Sequence, residues 1–415
     1  MNQQRSGGMT SKSFCPLPWK HLATHPHGSI TLCCESEQVG RQSESFDKNE
    51  LIITDKGREY KTLHTTDYDF NKIHNSESFK NIRLDMLNGK RPSVCNKCWD
   101  SEDVGNTSKR LHELNRLEYT LEDAIRETKE DGSIDVDYEF IELRLGNHCN
   151  LICRTCNPVS SSRWNKEWKL IEGEGNNIPQ PLFNWPLDEK FWDKLKGHSS
   201  KLRHVYINGG EPLLIDKHLS WLEYLVENNI AKNVSLTYST NTTVTGETYK
   251  EVWPHFKHVD FMLSIDCLER RNEFMRYPSK WAKTLDGAQW FIEYANKHQN
   301  IITSICQTNS LINIYYHKEF YEYWQNKVAY ISPNWVNDPD YYDPRILPDN
   351  VKQDILDKIK GTDRYENIKN YLSLKGDDRL LYKFFEKTNI LDKNRKESYK
   401  DIFPEFYEKI RKYDV

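Results

Sequence analysis

From Asp137 to about residue 348 the chain alternates short apolar runs with helix-like stretches, the pattern of repeated β/α units and a parallel sheet. Six runs predict strands: 139–147 (EFIELRLGN), 202–208 (LRHVYIN), 233–241 (NVSLTYSTN), 258–266 (HVDFMLSID), 301–309 (IITSICQTN) and 328–335 (VAYISPNW). Helices are predicted in the gaps, among them 215–229 and 282–297. Six units, not eight, predict an α/β chain built on a partial (β/α)6 barrel over 137–348, its open side admitting a large substrate. In barrels of parallel strands chemistry gathers at the C-terminal strand ends. The unusual residues fall there: Cys149 after the first strand, Gly209-Gly210-Glu211 after the second, Asn241 at the end of the third and Asp266 at the end of the fourth.

The flanks read differently. Residues 1–13 are expected to be a disordered N-terminus. Residues 14–115 are rich in cysteines and turns and poor in core. They hold one predicted helix, 76–88, with Phe79, Ile82, Met86 and Leu87 on one face. A charged linker, 116–136, opens with a helix. The last segment, 349–415, is helical by the spacing of Val351, Ile355, Leu356 and Ile359, and is expected to cap the barrel.

Composition narrows the class. At 415 residues the chain exceeds one ordinary domain, and no apolar run has the length a membrane span needs. The opening MNQQRSGGMTSKSF lacks a basic-then-apolar signal pattern, so a cytoplasmic location is expected. A net charge of -4 disfavours a nucleic-acid partner. The ten cysteines cluster at 15, 33/34, 95/98 and 149/153/156, with singles at 267 and 306. In a large chain without an export signal, such clustering argues for metal over disulfides.

The segment HCNLICRTC sets Cys149, Cys153 and Cys156 in a Cys-x3-Cys-x2-Cys loop. Clusters ordinarily take four cysteines, and one held by three keeps an iron open to an outside ligand. This triplet, followed by Gly209-Gly210-Glu211-Pro212 at the end of the next strand, resembles the radical S-adenosylmethionine (SAM) superfamily. The resemblance implies a 4Fe-4S cluster that chelates SAM, cleaves it reductively to a 5′-deoxyadenosyl radical and abstracts hydrogen from a substrate. It implies that Gly209 and Gly210 free backbone carbonyls for the SAM ammonium, with Glu211 a further acceptor; an isolated Gly-Gly would read as an ordinary turn. Asn241, Ser264, Asp266 and Arg276 occupy places where the family binds the ribose and carboxylate of SAM. Two positions depart from the family pattern. Thr155 stands where an aromatic residue often precedes the third cysteine, and Cys267 where glycine often follows the Ser-x-Asp unit. Cys267 is either a hydrogen donor to a substrate radical or a small buried cysteine.

Cys15, one of Cys33 and Cys34, Cys95 and Cys98 supply four further ligands. With Cys-Pro-x-Pro-Trp, a glycine hairpin, an Arg-x-x-Met helix and a final Cys-x2-Cys, the segment is similar to SPASM and twitch domains. That similarity implies an auxiliary 4Fe-4S cluster. Tetrahedral zinc uses the same spacing and stays open as the alternative. Cys33 and Cys34 point to opposite faces if the strand continues.

The expected function is thus a radical SAM oxidoreductase acting on a peptide, a protein or a sizeable metabolite, fed by an electron donor such as flavodoxin or ferredoxin. The rivals are an iron-sulfur or zinc interaction or electron-transfer protein without turnover, and a radical SAM enzyme that modifies nucleic acid.

Overall fold

The computed structural model describes residues 12–36, 69–103, 105, 107–173, 180–336, 338–360 and 365–415. The expectation for residues 1–13 lies largely outside them. Ser13, which is described, is buried and donates to the Met86 carbonyl at 3.1 Å.

Among the described residues the strands are β1 (His21–Thr24), β2 (Ile30–Thr31), β3 (Phe140–Leu145), β4 (His204–Gly209), β5 (Ser235–Thr240), β6 (His258–Leu263), β7 (Ile301–Asn309) and β8 (Ile331–Trp335). Strands β3 to β8 are the six expected ones, each end within three residues of its expected place. They lie parallel in sequence order, the arrangement of a partial barrel. Alternation sorts their faces. Val205 and Ile207, Leu236 and Tyr238, and Val259, Phe261 and Leu263 are buried on the outer face. There they meet helices such as Leu219–Glu227, which contributes Trp221, Leu222 and Leu225. The inner face is polar and half-buried, with Tyr206, Thr237, Ser239 and Thr308. The Tyr206 hydroxyl lies 2.8 Å from Ser239 Oγ across this face. Cys306 shares it, in register with Ser332, and is half-buried.

The N-terminal segment extends this sheet. Strand β1 runs parallel to β3, pairing His21 with Phe140 and Ala23 with Glu142, and β2 closes an antiparallel hairpin at the edge. Phe14, Leu17, Trp19 and Leu22 join the core cluster of Phe140 and Ile141, so the segment borrows the core it lacks. The expected helix forms at Glu77–Leu87 and buries Phe79, Ile82 and Met86, together with Arg83. Two helices, Lys109–Arg116 and Leu121–Glu127, span the expected linker boundary; the second starts at a Thr120–Asp123 capping box.

The C-terminal segment forms the helices Asp349–Lys358, Glu366–Leu372, Leu380–Arg395 and Pro404–Ile410. Val351, Ile355, Phe384, Phe403 and Phe406 build a second apolar cluster, which takes in Phe274 and Met275 from the barrel. Cys267 lies in this cluster at 2% exposure. Of its two sequence readings, the small buried cysteine matches this packing. Among the described residues no helix is long and apolar enough to cross a membrane.

Candidate active site and metal centres

Strand β3 ends at Leu145, and the chain then turns into the loop that carries Cys149, Cys153 and Cys156. Backbone bonds pin this loop to the chain after β6: the Ile152 amide donates to the Tyr277 carbonyl at 2.6 Å and the Arg154 amide to the Met275 carbonyl at 2.8 Å. Trp164 Nε1 donates to the Cys153 carbonyl at 3.1 Å, and Ser161 Oγ to the Leu151 carbonyl at 2.7 Å. Burial raises all three thiols, Cys149 to about 12, and each is raised further by another thiol or carboxylate nearby. Three half-buried thiols carried by one loop suit a shared cationic ligand, which would make the thiolates favourable. The donor set fits a three-cysteine cluster.

The glycines after β4 are dictated by this loop. The Gly210 amide donates to the Gly146 carbonyl at 3.2 Å and the Glu211 amide to the His148 carbonyl at 2.7 Å, so the two turns are zipped together one residue before Cys149. Gly209 has φ +134°, and a Cβ there would stand 2.5 Å from the Leu145 amide nitrogen. At Gly210 a Cβ would stand 2.2 Å from the His148 carbonyl oxygen.

Glu211 links two strand ends. Its carboxylate is fully buried and accepts from Thr240 Oγ1 at 2.9 Å, from the Asn241 amide at 2.7 Å and from the Leu213 amide at 3.3 Å. It staples the ends of β4 and β5 together. Burial raises its carboxyl from 4.5 to about 7. The folded protein therefore holds this proton more tightly than the unfolded chain between those values. Its contribution to stability is full below about 4.5 and is lost as pH rises toward about 7. In iron-free protein, Glu211→Gln should flatten that slope in thermal melts and cost about 1–3 kcal/mol, because an amide donor then faces the three donors. A wild-type slope that persists unchanged in the variant would assign it to another group.

Asn241 Nδ2 donates to Asn150 Oδ1 at 2.9 Å and lies 3.9 Å from Cys149 Sγ, so this residue borders the first thiol. Arg276 and Asp266 are buried and paired, Nε to Oδ2 at 2.8 Å and Nη2 to Oδ1 at 3.0 Å. Asp266 also accepts from the Thr308 amide at 2.9 Å, which fixes the guanidinium at the mouth of the inner face. The positive charge of Arg276 reaches Cys149, Cys153 and Cys156, lowering each thiol's affinity for its proton. Ser264 is half-buried, and its amide donates to the Thr240 carbonyl at 2.8 Å. Arg154, between the second and third cysteines, went unremarked in the sequence. It is buried against Phe274 and paired with Asp392 and Glu397; its position inside the cysteine motif was the available signal.

The N-terminal cysteines form a second site. Cys15, Cys33, Cys95 and Cys98 line one cavity with about 360 Å³ of atom-free space, counting its mouth, closed by Leu17 and Trp99 and bordered by Lys109 and Arg110. Among the described residues no three His, Cys, Asp or Glu donors are gathered as tightly as a single ion would need; the thiols stand around the cavity wall. Burial pushes Cys33 up to about 12, with Cys15 adding to the rise. Cys34 is also raised to about 12 by burial, and it does not line this cavity. Arg110 donates to the Phe14 carbonyl at 2.8 Å and pairs with Glu102, tying the Cys15 strand to the Cys98 helix.

Residues 15–99 match the family model described as SPASM, an iron-sulfur cluster-binding domain. No curated protein matches the chain. Among solved structures, native anSMEcpe with bound AdoMet is 18% identical, with a TM-score of 0.37 over 56% of this chain and 61% of that one. Streptococcus suis SuiB bound to S-adenosylmethionine is 14% identical, with a TM-score of 0.36 over 73% and 64%. The same protein bound to precursor peptide SuiA is 13% identical, with a TM-score of 0.38 over 70% and 64%. The chain thus spans less than two thirds of the length of these structures. Residues 15–99 thus match an iron-sulfur cluster-binding family model, and the sheet this segment extends is a partial barrel of parallel strands with a three-cysteine loop at the end of its first barrel strand.

Proposed function

We propose that this chain is a radical SAM enzyme whose Cys149, Cys153 and Cys156 hold a catalytic 4Fe-4S cluster. The observation that carries the reading is the cysteine loop at the C-terminal end of β3, with the Gly209–Gly210 turn zipped onto it by two backbone bonds. When bound, the cluster and SAM supply a 5′-deoxyadenosyl radical by one-electron cleavage of the sulfonium. The chain's share is binding and orientation. Arg276, steadied by Asp266, presents a planar donor fork suited to the SAM carboxylate, for which Ser264 is the second candidate. Asn241 sits against Cys149, and the glycine turn brings backbone within reach of the SAM ammonium. Hydroxyl and amide groups on the inner face offer a polar wall to the substrate, for which a peptide, a protein or a sizeable metabolite is the class proposed.

In the N-terminal domain Cys15, Cys33, Cys95 and Cys98 are proposed to hold an auxiliary cluster, with Cys34 outside the ligand set. The iron-sulfur description of the matched family favours iron over zinc there. Four protein ligands leave no iron for substrate, so its role is electron transfer. A cytoplasmic electron donor such as flavodoxin or ferredoxin completes the system. Anaerobic reconstitution should load about eight irons per chain and support dithionite-driven release of 5′-deoxyadenosine from SAM. Cys153→Ala should retain about four irons and lose that release at least a hundredfold. A fully loaded wild type that leaves SAM intact would return the chain to the class of binding or electron-transfer proteins.

A further inference from the structure

The C-terminal helix Leu380–Arg395 and the cysteine loop exchange arginines. Arg154 leaves the loop fully buried, crosses the Phe274 ring at 3.5 Å, and donates through Nη2 to Asp392 Oδ1 at 2.5 Å and to Glu397 Oε2 at 3.0 Å. Arg395 returns from the helix, donating through Nη2 to the Ile152 carbonyl at 3.0 Å and to Glu167 Oε2 at 2.6 Å. Its guanidinium also covers Tyr277, whose carbonyl holds the Ile152 amide. Ile152, Trp164, Ile171 and Leu391 form a small apolar cluster between the two elements, with Cys156 packed against it. A carboxylate from the far end of the chain therefore reaches the residue between two cluster cysteines, and an arginine from the same helix reaches the residue before Cys153.

Ion pairs this deeply buried gain little stability over well-packed apolar residues, because desolvation offsets their attraction. What they add is direction. A planar guanidinium held at both edges fixes where its backbone lies. We infer that Asp392, Glu397 and Arg395 are positioning residues of the catalytic cluster, and that the C-terminal helix is a clamp that holds the Cys149–Cys156 loop in its ligating geometry. This rests on the proposed radical SAM reading for the identity of the cluster; the clamp itself rests on the contacts above.

The test uses full-length Asp392→Asn, Glu397→Gln, Arg395→Gln and Arg395→Lys, with Lys393→Gln, exposed on the same helix, as control. Hydrogen exchange of the Ile152 and Arg154 amides is followed in iron-free protein. The SAM-induced change in the electron paramagnetic resonance of the reduced cluster is followed after reconstitution. Asp392→Asn and Arg395→Gln should speed exchange at these two amides at least tenfold while amides of β4 keep their rates, and should weaken the SAM-induced spectral change. Arg395→Lys should recover part of both, and Lys393→Gln should match wild type. Should Asp392→Asn fail to fold, Glu397→Gln, which removes only the more exposed of Arg154's two partners, carries the same expectation in reduced size. Unchanged exchange and an unchanged SAM-dependent spectrum in both Asp392→Asn and Arg395→Gln would overturn the clamp. A wild type with no SAM-induced spectral change, but with the exchange differences present, would overturn the radical SAM reading and leave the clamp standing.

Discussion

Gly210→Ala should empty the Cys149/Cys153/Cys156 site of iron and cost about 3 kcal/mol or more of stability, the upper end of what overpacking does in a close-packed interior. The added methyl carbon would lie 2.2 Å from the His148 carbonyl oxygen, 2.6 Å from its carbon and 2.9 Å from the His148 nitrogen. All three are backbone atoms, so no rotamer change relieves the contact. The two turns must part, which breaks the bonds from the Gly210 amide to Gly146 and from the Glu211 amide to His148. His148 immediately precedes Cys149, and its displacement moves the first thiol away from the other two. A glycine at a surface turn supplies the contrast. Gly89 also has a positive φ, +76°, but a Cβ there meets nothing within 4 Å. Gly89→Ala should cost about 1–2 kcal/mol from backbone strain alone and leave the iron count unchanged. Iron and sulfide analysis with thermal melts of the two variants separates the cases. A Gly210→Ala protein that keeps its catalytic iron would show that the zipped turns can separate without moving Cys149.

The sequence made the barrel legible because its strands alternate, and alternation survives whatever packs on either face. Strand β7 was read from Ile301 to Asn309, as observed. The hairpin of β1 and β2 was read from its glycine, but its joining to the barrel sheet was not, because the partner strand β3 lies over a hundred residues away. The cysteine loop and the glycine turn were legible as motifs, but the bonds that the Glu211 carboxylate accepts from Thr240 and Asn241 were not. Those bonds depend on which way one side chain turns at the end of β4, and no residue spacing encodes it. Cys306 lies inside a predicted strand, a place that suggests core. Strand position gives the face but not which face borders the polar interior, and Cys306 lies on the half-buried side. The link from Arg154 to Asp392 was invisible for another reason. The sequence offered Arg395 as a possible interior ion-pair member, but only the fold shows that Asp392 lies inside with it.

Arg83→Met should unload the N-terminal cysteines while sparing the catalytic loop, the reverse of Cys153→Ala. Arg83 stands in the Arg-x-x-Met helix and has no exposed surface. Its guanidinium donates to the Gly132 carbonyl at 2.8 Å, the Pro18 carbonyl at 2.9 Å and the His74 carbonyl at 2.6 Å, with Asn75 Oδ1 at 3.2 Å. These acceptors come from the segment after Cys15, from the turn before the helix and from the linker, so one side chain joins three stretches of chain. Burial draws the guanidinium down to about 10, still charged at neutral pH. Methionine fills much of the volume but leaves three buried carbonyls without a donor, each worth about 1–3 kcal/mol, for a net loss on the order of 3–5 kcal/mol. Lysine keeps the charge without the fork and should rescue little, since a single ammonium cannot span acceptors on three sides. Because Pro18 lies three residues after Cys15, freeing it lets that thiol leave the cavity wall it shares with Cys33, Cys95 and Cys98. The reconstituted Arg83→Met protein should therefore hold about four irons and still cleave SAM, whereas Cys153→Ala holds about four and does not. A variant that keeps about eight irons would show that the auxiliary site is built by its cysteines and Arg110 without the Arg83 tie.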